Sequence, residues 1–246
     1  MAVAATTTVP GPGELLVSEV FGPTFQGEGP SLGQRAGFVR LGRCNLDCGK
    51  GPGATWACDT PYTWDWDRYD PAAELRPVAV AALVDKLSTM HVDLVVVTGG
   101  EPLLQQRRLL PFLSAAERRW AIEVETNGTI PPLPELGAVV SRFNVSPKLP
   151  GSGVPPERAL RPDALGALRQ TGRAIFKFVV TDPRELEDVA EVATTHQLAP
   201  IWIMPGGTTA SAVLATARAL ADPVLERGWH LTTRLQILLW DNQRSR

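Results

Sequence analysis

Short apolar runs rich in β-branched residues alternate along this chain with stretches of helical spacing, and no other feature narrows the possible folds as much. The runs cover residues 15–20, 37–41, 92–97, 121–124, 139–145, 174–180 and 201–204. Between them, residues 78–90, 103–118, 163–170, 183–197 and 208–227 repeat apolar side chains at the three- and four-residue intervals of a helix. Repeated βα units build a parallel sheet, and a run that is apolar throughout, such as Leu94-Val95-Val96-Val97, suits a strand covered on both faces. Thr181-Asp182-Pro183-Arg184-Glu185 reads as a helix start, with a Thr or Asp cap and proline in the first turn. The expectation is an α/β fold of about six parallel strands, closed part-way into a barrel. Function is then expected at the strands' C-terminal ends.

A length of 246 residues suits one domain of this type. The 24 Lys and Arg against 26 Asp and Glu leave a net charge of −2, which gives no electrostatic reason to expect nucleic-acid binding. The 22 glycines and 22 prolines mark a loop-rich chain, with residues 130–134 and 147–156 read as loops inside the domain. Residues 1–12 carry neither the basic segment nor the sustained apolar core of a secretory signal. No run of about 18 apolar residues occurs, so no membrane span is expected. A cytoplasmic protein with reduced thiols is the consistent expectation.

All three cysteines fall on one stretch, Cys44, Cys48 and Cys58, in a C-x3-C-x9-C arrangement just past the run at 37–41. An odd number on a short loop makes a poor disulfide framework. Three thiolates on one loop can hold three irons of a cubane and leave the fourth open for a ligand. Structural zinc normally takes four protein ligands, and His91, His196 and His230 all lie far along the chain. Zinc completed by a remote side chain, a disulfide with a spare thiol, and three unrelated buried cysteines are the alternatives.

Further motifs flank this loop. Phe25-Gln26-Gly27-Glu28-Gly29 and Gly37-Phe38-Val39-Arg40-Leu41 precede it, Trp56-Ala57-Cys58-Asp59-Thr60 closes it, and Thr98-Gly99-Gly100-Glu101-Pro102, Glu125-Thr126-Asn127-Gly128 and Ser146-Pro147-Lys148 follow in order. Together they resemble the 7-carboxy-7-deazaguanine synthase family of the radical S-adenosylmethionine (SAM) superfamily. Two departures stand out. The superfamily spacing is C-x3-C-x2-C, so this loop is seven residues longer, and Gly49-Lys50-Gly51-Pro52-Gly53 is a composition that can bulge outward while its ends stay close. Where many relatives carry Gln-x-His near the C-terminus, this chain has Gln236-Ile237-Leu238.

The resemblance implies a modified partial (β/α)6 TIM-like barrel of the radical SAM type over residues 1–246, with a cluster-loop insertion around 49–57 and a C-terminal extension from about 229. It implies a 4Fe-4S cluster on Cys44, Cys48 and Cys58. SAM would contact Gly99, Gly100, Glu101, Ser146, Pro147, Lys148, Met204 and Pro205, with Glu125 as a catalytic residue. Phe25, Gln26, Gly27, Arg40 and Thr98 would bind a pterin, the amide reading a heterocycle edge and the guanidinium meeting a carboxylate. Thr60 would bind Mg²⁺, which takes few protein oxygens. The implied reaction converts 6-carboxy-5,6,7,8-tetrahydropterin to 7-carboxy-7-deazaguanine with loss of ammonia, for queuosine or other 7-deazapurines. A flavodoxin or ferredoxin would supply the electron, and the protein would be a homodimer with no direct nucleic-acid or membrane partner. Two other readings are a radical SAM activase of a glycyl-radical enzyme and a zinc-stabilised binding module. Trp56, Tyr62, Trp64 and Trp66 form an aromatic group that can either shield a cluster or pack in a core.

Overall fold

The computed structural model describes residues 9–246; the reading of residues 1–12 as no secretory signal lies in large part outside them. Nine strands form one sheet: β1 (Glu14–Phe25), β2 (Arg35–Leu41), β3 (Arg76–Ala79), β4 (Leu94–Gly99), β5 (Ala121–Thr126), β6 (Arg142–Val145), β7 (Ala174–Val180), β8 (Ile201–Pro205) and β9 (His230–Leu231). Their order is β3-β1-β2-β4-β5-β6-β7-β8-β9. From β2 onward every pairing is parallel, whereas β1 runs antiparallel to both β2 and β3. The sheet begins at β3 and ends at β9 without closing on itself. The six strands expected in parallel array are β2 and β4 to β8.

Helices Gln106–Ala116, Pro134–Val139, Pro162–Gln170, Glu185–His196 and Ala210–Glu226 cross between successive strands of this array. Several boundaries differ from the sequence reading, three of them for a visible reason. Residues 78–79 close β3 before the helix Val80–Ser88 begins, because Leu15 and Glu14 of β1 pair with Val78 and Ala79. The run at 139–145 splits, with Val139 ending a helix and the strand starting at Arg142. The helix expected from residue 183 starts at Glu185, whose carboxylate accepts from the backbone N–H of Thr181 and Asp182. Asp182 instead accepts from the N–H of Arg184 in a tight turn.

The strands alternate sharply between two faces. Val39, Leu41, Val95, Val97, Ile122, Val124, Phe143, Val145, Phe176 and Phe178 point outward into a core shared with the helices. The opposite face carries Arg40, Thr98, Glu125, Asn144, Lys177, Val179 and Met204, all lining an inner cavity. Register aligns them laterally: Arg40 pairs with Thr98, Glu125 with Asn144, and Val179 with Met204. Among the described residues, no helix is long and apolar enough to cross a membrane.

Phe178 is fully buried in the outer core, while Phe25 is 42% exposed. Phe178→Ala is expected to lower the free energy of unfolding by about 3–5 kcal/mol. Phe25→Ala should cost under about 1 kcal/mol by the same denaturant titration.

Candidate active site

One cavity of about 920 Å³ opens at the C-terminal ends of the parallel strands. Its wall on one side is the cysteine loop, which contributes Cys44, Cys48 and Cys58. All three are free thiols. Burial pushes the Cys44 thiol up to about 12 and raises that of Cys48 as well, so both stay protonated until a metal displaces the proton. The donors around the sulfurs suit thiolates. The N–H of Leu46 reaches Cys44 Sγ at 3.5 Å, and the indole N–H of Trp64 reaches Cys58 Sγ at 3.4 Å. Among the described residues, no group of three or more His, Cys, Asp or Glu side chains is arranged to hold a single metal ion. Three soft thiols lining one wall, with hydrogen-bond donors turned to two of the sulfurs, fit an iron–sulfur cluster.

The segment between Cys48 and Cys58 does not bulge free. The N–H of Gly49 donates to Ser152 O at 2.8 Å and that of Thr55 to Gly151 O at 2.9 Å, so the insertion lies docked on the 3-10 turn Pro150–Ser152. Its ends do stay close, since a Cβ on Gly49 would stand 2.8 Å from Ala57 Cα. That closure keeps Cys48 and Cys58 on one wall despite the longer loop.

Thr98 and Gly99, the last residues of β4, and Gly100 just after it line the cavity. The glycines are required by the chain's own backbone: a Cβ on Gly99 would lie 2.2 Å from Leu41 O, and one on Gly100 would lie 2.2 Å from Arg43 O. Glu101 turns away from the cavity and is fully buried. It accepts from Leu103 N–H, Thr126 Oγ1–H and Asn127 N–H, knotting the Gly-Gly turn to the end of β5. Burial raises its carboxyl above the usual range in spite of those three donors. Pro147 and Pro205 likewise lie outside the lining, while Ser146, Lys148 and Met204 belong to it. Among the described residues, the Lys148 ammonium donates to Ser146 Oγ at 2.9 Å and forms no direct ion pair with a carboxylate.

Deeper in, the inner faces of the strands supply a polar layer. Glu125 accepts from Thr98 Oγ1 at 2.8 Å and from Gln26 Nε2 at 3.3 Å. Lys177, from the middle of β7, forms an ion pair with Glu28. Gln236 Nε2 donates to the other oxygen of Glu28 at 2.8 Å. Arg234 links Gly207 O and Asp59 across the same floor. Burial alone would raise the Glu28 carboxyl, but Lys177 and Arg234 outweigh it and hold the group well below the usual carboxylate range. A Cβ on Gly27 would fall 1.7 Å from Gln236 Oε1, so a side chain there would displace the Gln236 amide.

At the far end Arg40 is held through Nε by Glu19 at 2.8 Å. Tyr62 donates its hydroxyl proton to the same carboxylate at 3.1 Å. Arg244 and Ser245 of the C-terminal segment reach its second oxygen, and the Arg244 guanidinium lies 3.7 Å over the Tyr62 ring. Thr60 also lines the cavity, 3.5 Å from Gly99 O. Of the aromatic group, Trp56, Tyr62 and Trp64 line the cavity, while Trp66 is 39% exposed.

No family model matches the chain. Curated relatives do. It is 35% identical over 233 residues to the 7-carboxy-7-deazaguanine synthase of Pyrobaculum aerophilum, covering 94% of this chain and 96% of the relative. The chain belongs to the 7-carboxy-7-deazaguanine synthase family. The family's member from Halobacterium salinarum is 32% identical, covering 93% and 91% of the two chains. Among solved structures, QueE from Escherichia coli superposes with a TM-score of 0.65 at 25% identity, covering 89% and 93%. Membership makes the chain a radical SAM enzyme, and such an enzyme uses a 4Fe-4S cluster and SAM. The α/β sheet with its parallel array is the fold expected of the family.

Sequence reasoning missed Asn144, Lys177, Arg234 and Arg244 as cavity groups, and Glu19 as the residue that holds Arg40. Glu19, Asn144 and Lys177 each stand out as polar residues within a strand run, where an unpaired polar group is costly, but the run alone does not say which partner each one meets.

The Glu28–Lys177 pair sets a pH dependence. Because the folded carboxyl titrates below its unfolded value, the pair's stabilisation is complete above the usual carboxylate range and is lost as pH falls through it. Glu28→Gln should lower stability at pH 7 by about 3 kcal/mol by leaving Lys177 unpaired. Urea titrations should show the gap between variant and parent narrowing towards pH 3.

Proposed function

We propose that the enzyme converts 6-carboxy-5,6,7,8-tetrahydropterin to 7-carboxy-7-deazaguanine with loss of ammonia. The observation that carries this reading is that the three-cysteine loop and the polar layer of Gln26, Thr98, Glu125 and Arg40 open into one cavity. Cys44, Cys48 and Cys58 would hold the cluster. When bound, the cluster and SAM supply a 5′-deoxyadenosyl radical by one-electron cleavage.

The chain's own residues do the binding and orienting. The backbone of Gly99 and Gly100, with Ser146, Lys148 and Met204, offers SAM polar groups and an ammonium without a direct ion-pair partner for its carboxylate. Glu101 acts at one remove by fixing the Gly-Gly turn, and Pro147 and Pro205 by shaping the strand ends. Arg40 is held side-on by Glu19, which leaves its terminal nitrogens to face the cavity and meet the substrate carboxylate with paired charge-assisted bonds. Gln26 and Gly27 read the heterocycle edge, with Phe25 against the ring. Glu125, anchored by Thr98, accepts from Gln26 and is the carboxylate we assign the catalytic role. Lys177 and Glu28 stay charged together through the neutral range, so they fix the electrostatic floor and do not shuttle protons. Asn242 to Arg246 lie along that end of the cavity.

A single hydroxyl at Thr60 suits Mg²⁺, which keeps waters and substrate oxygens as its other ligands. The resemblance supports a single radical SAM domain over residues 1–246, with its insertion at 49–57 and its extension from about 229. It also supports a homodimer that takes its electron from a flavodoxin or ferredoxin in the cytoplasm, serving queuosine or other 7-deazapurine synthesis. Three free thiols are at home in that reducing compartment.

Anaerobic reconstitution with iron and sulfide, followed by SAM, reductant, Mg²⁺ and the carboxylated tetrahydropterin, should yield 5′-deoxyadenosine and the deazapurine by mass spectrometry. Both products should vanish in Cys48→Ala. Arg40→Leu should raise KM for the carboxylated pterin on the order of 10- to 100-fold while SAM cleavage without substrate stays unchanged. SAM cleavage with the pterin left intact would sink the substrate assignment.

A further inference from the structure

Cys58 differs from the other two cysteines in what faces its sulfur. The indole N–H of Trp64 points at Cys58 Sγ from 3.4 Å. Cys44 has a backbone N–H at 3.5 Å and the amide of Asn127 at 3.9 Å. For Cys48, no side-chain donor reaches the sulfur among the described residues.

Trp64 is not free to turn. It ends the 3-10 turn Pro61–Thr63, its backbone N–H donating to Pro61 O at 3.1 Å, and that turn is tied to the start of the cysteine loop by the bond from Arg43 N–H to Thr63 O at 2.7 Å. The insertion supplies the other hold. Lys50 reaches from it to the buried Asp65 and to Asp67 at 2.7 Å, which sets its ammonium 5.3 Å from the centre of the Trp64 ring. Apart from its closure on Ala57, the insertion docks on residues 151–153, so Lys50 is its reach back towards the cysteine wall.

We propose that Trp64, steadied by the insertion residue Lys50, is a positioning residue that sets the reduction potential of the cluster through Cys58. The inference rests on the reading that Cys58 is a cluster ligand. Reduction adds one negative charge shared among the irons and their sulfurs, and an N–H aimed at a ligand sulfur stabilises that charge. The potential therefore rises, and the electron needed for SAM cleavage arrives more easily. A cation over the indole face polarises the ring and makes its N–H a better donor. The lengthened loop thus brings a lysine to the indole whose N–H meets a ligand sulfur.

Trp64→Phe keeps an aromatic ring and deletes the donor. Iron and sulfide analysis tests the underlying reading, and an EPR-monitored redox titration tests the inference. The variant should hold wild-type iron and sulfide while its midpoint potential moves negative, and Lys50→Met should move it by less in the same direction. An unchanged potential in fully loaded Trp64→Phe overturns the proposal, as does a larger shift in Lys50→Met than in Trp64→Phe. Should Trp64→Phe fail to assemble a cluster, the wild-type enzyme decides the matter: with 15N-labelled tryptophan, the reduced cluster should show a 15N hyperfine coupling in pulsed EPR. Its absence overturns the proposal.

Discussion

The whole site depends on strand faces that alternate strictly in and out. Along β7, Phe176 and Phe178 pack outward while Lys177 and Val179 face the cavity. The same holds for Val39 against Arg40 on β2 and Val97 against Thr98 on β4. A one-residue slip of any strand would put a charge into the helix-covered core and a bulky apolar residue into the cavity, so the outer core fixes the register of the inner polar layer. The inner layer in turn must be internally satisfied, because a buried charged group needs an ion pair or hydrogen-bond donors. Hence Glu28 with Lys177, Glu123 with Arg142, and Arg40 with Glu19.

Two knots then transmit this order to the mouth of the cavity. Glu101 gathers the ends of β4 and β5 on one carboxylate, fixing the Gly-Gly turn against the cysteine loop through contacts so close that no side chain fits. Glu19 gathers Arg40, Tyr62 and the C-terminal residues Arg244 and Ser245, joining the first strand, the segment after the cysteine loop and the chain's end. Neither carboxylate needs to touch a reacting atom to matter. Each uses its hydrogen bonds to hold a group that faces the cavity.

Much of this was legible before any coordinates. The alternation of apolar runs and helical spacing placed every strand of the parallel array from β2 to β8, because buried parallel strands leave a strong local signal. The antiparallel β1 was seen as a strand but truncated at Val20, since its second half loses the apolar character that marked it. The strand β3 was absorbed into a helix because a four-residue strand followed directly by a helix has no local punctuation. Among the residues that line the cavity, those in the motifs at and after strand ends were legible in the sequence. The charges inside strands were passed over, because Lys177 and Glu19 reveal themselves only when the facing residue is known. Glu101 was read as a ligand-facing group, although its side chain is consumed by donors from two other segments. The docking of residues 49–57 on 151–153 joins parts far apart in the chain, and nothing local announces it.

Above all, three cysteines of one loop are proposed to hold a cubane whose open iron faces the cavity lined by Thr98, Lys148 and Arg40. An anaerobic crystal structure of the reconstituted enzyme with SAM and the carboxylated pterin would show whether they do. The expected result is a 4Fe-4S cluster bonded to Cys44, Cys48 and Cys58, SAM on the fourth iron, and the pterin carboxylate against Arg40. A single tetrahedral metal on these cysteines, or a cluster that leaves Cys48 or Cys58 unligated, would overturn it.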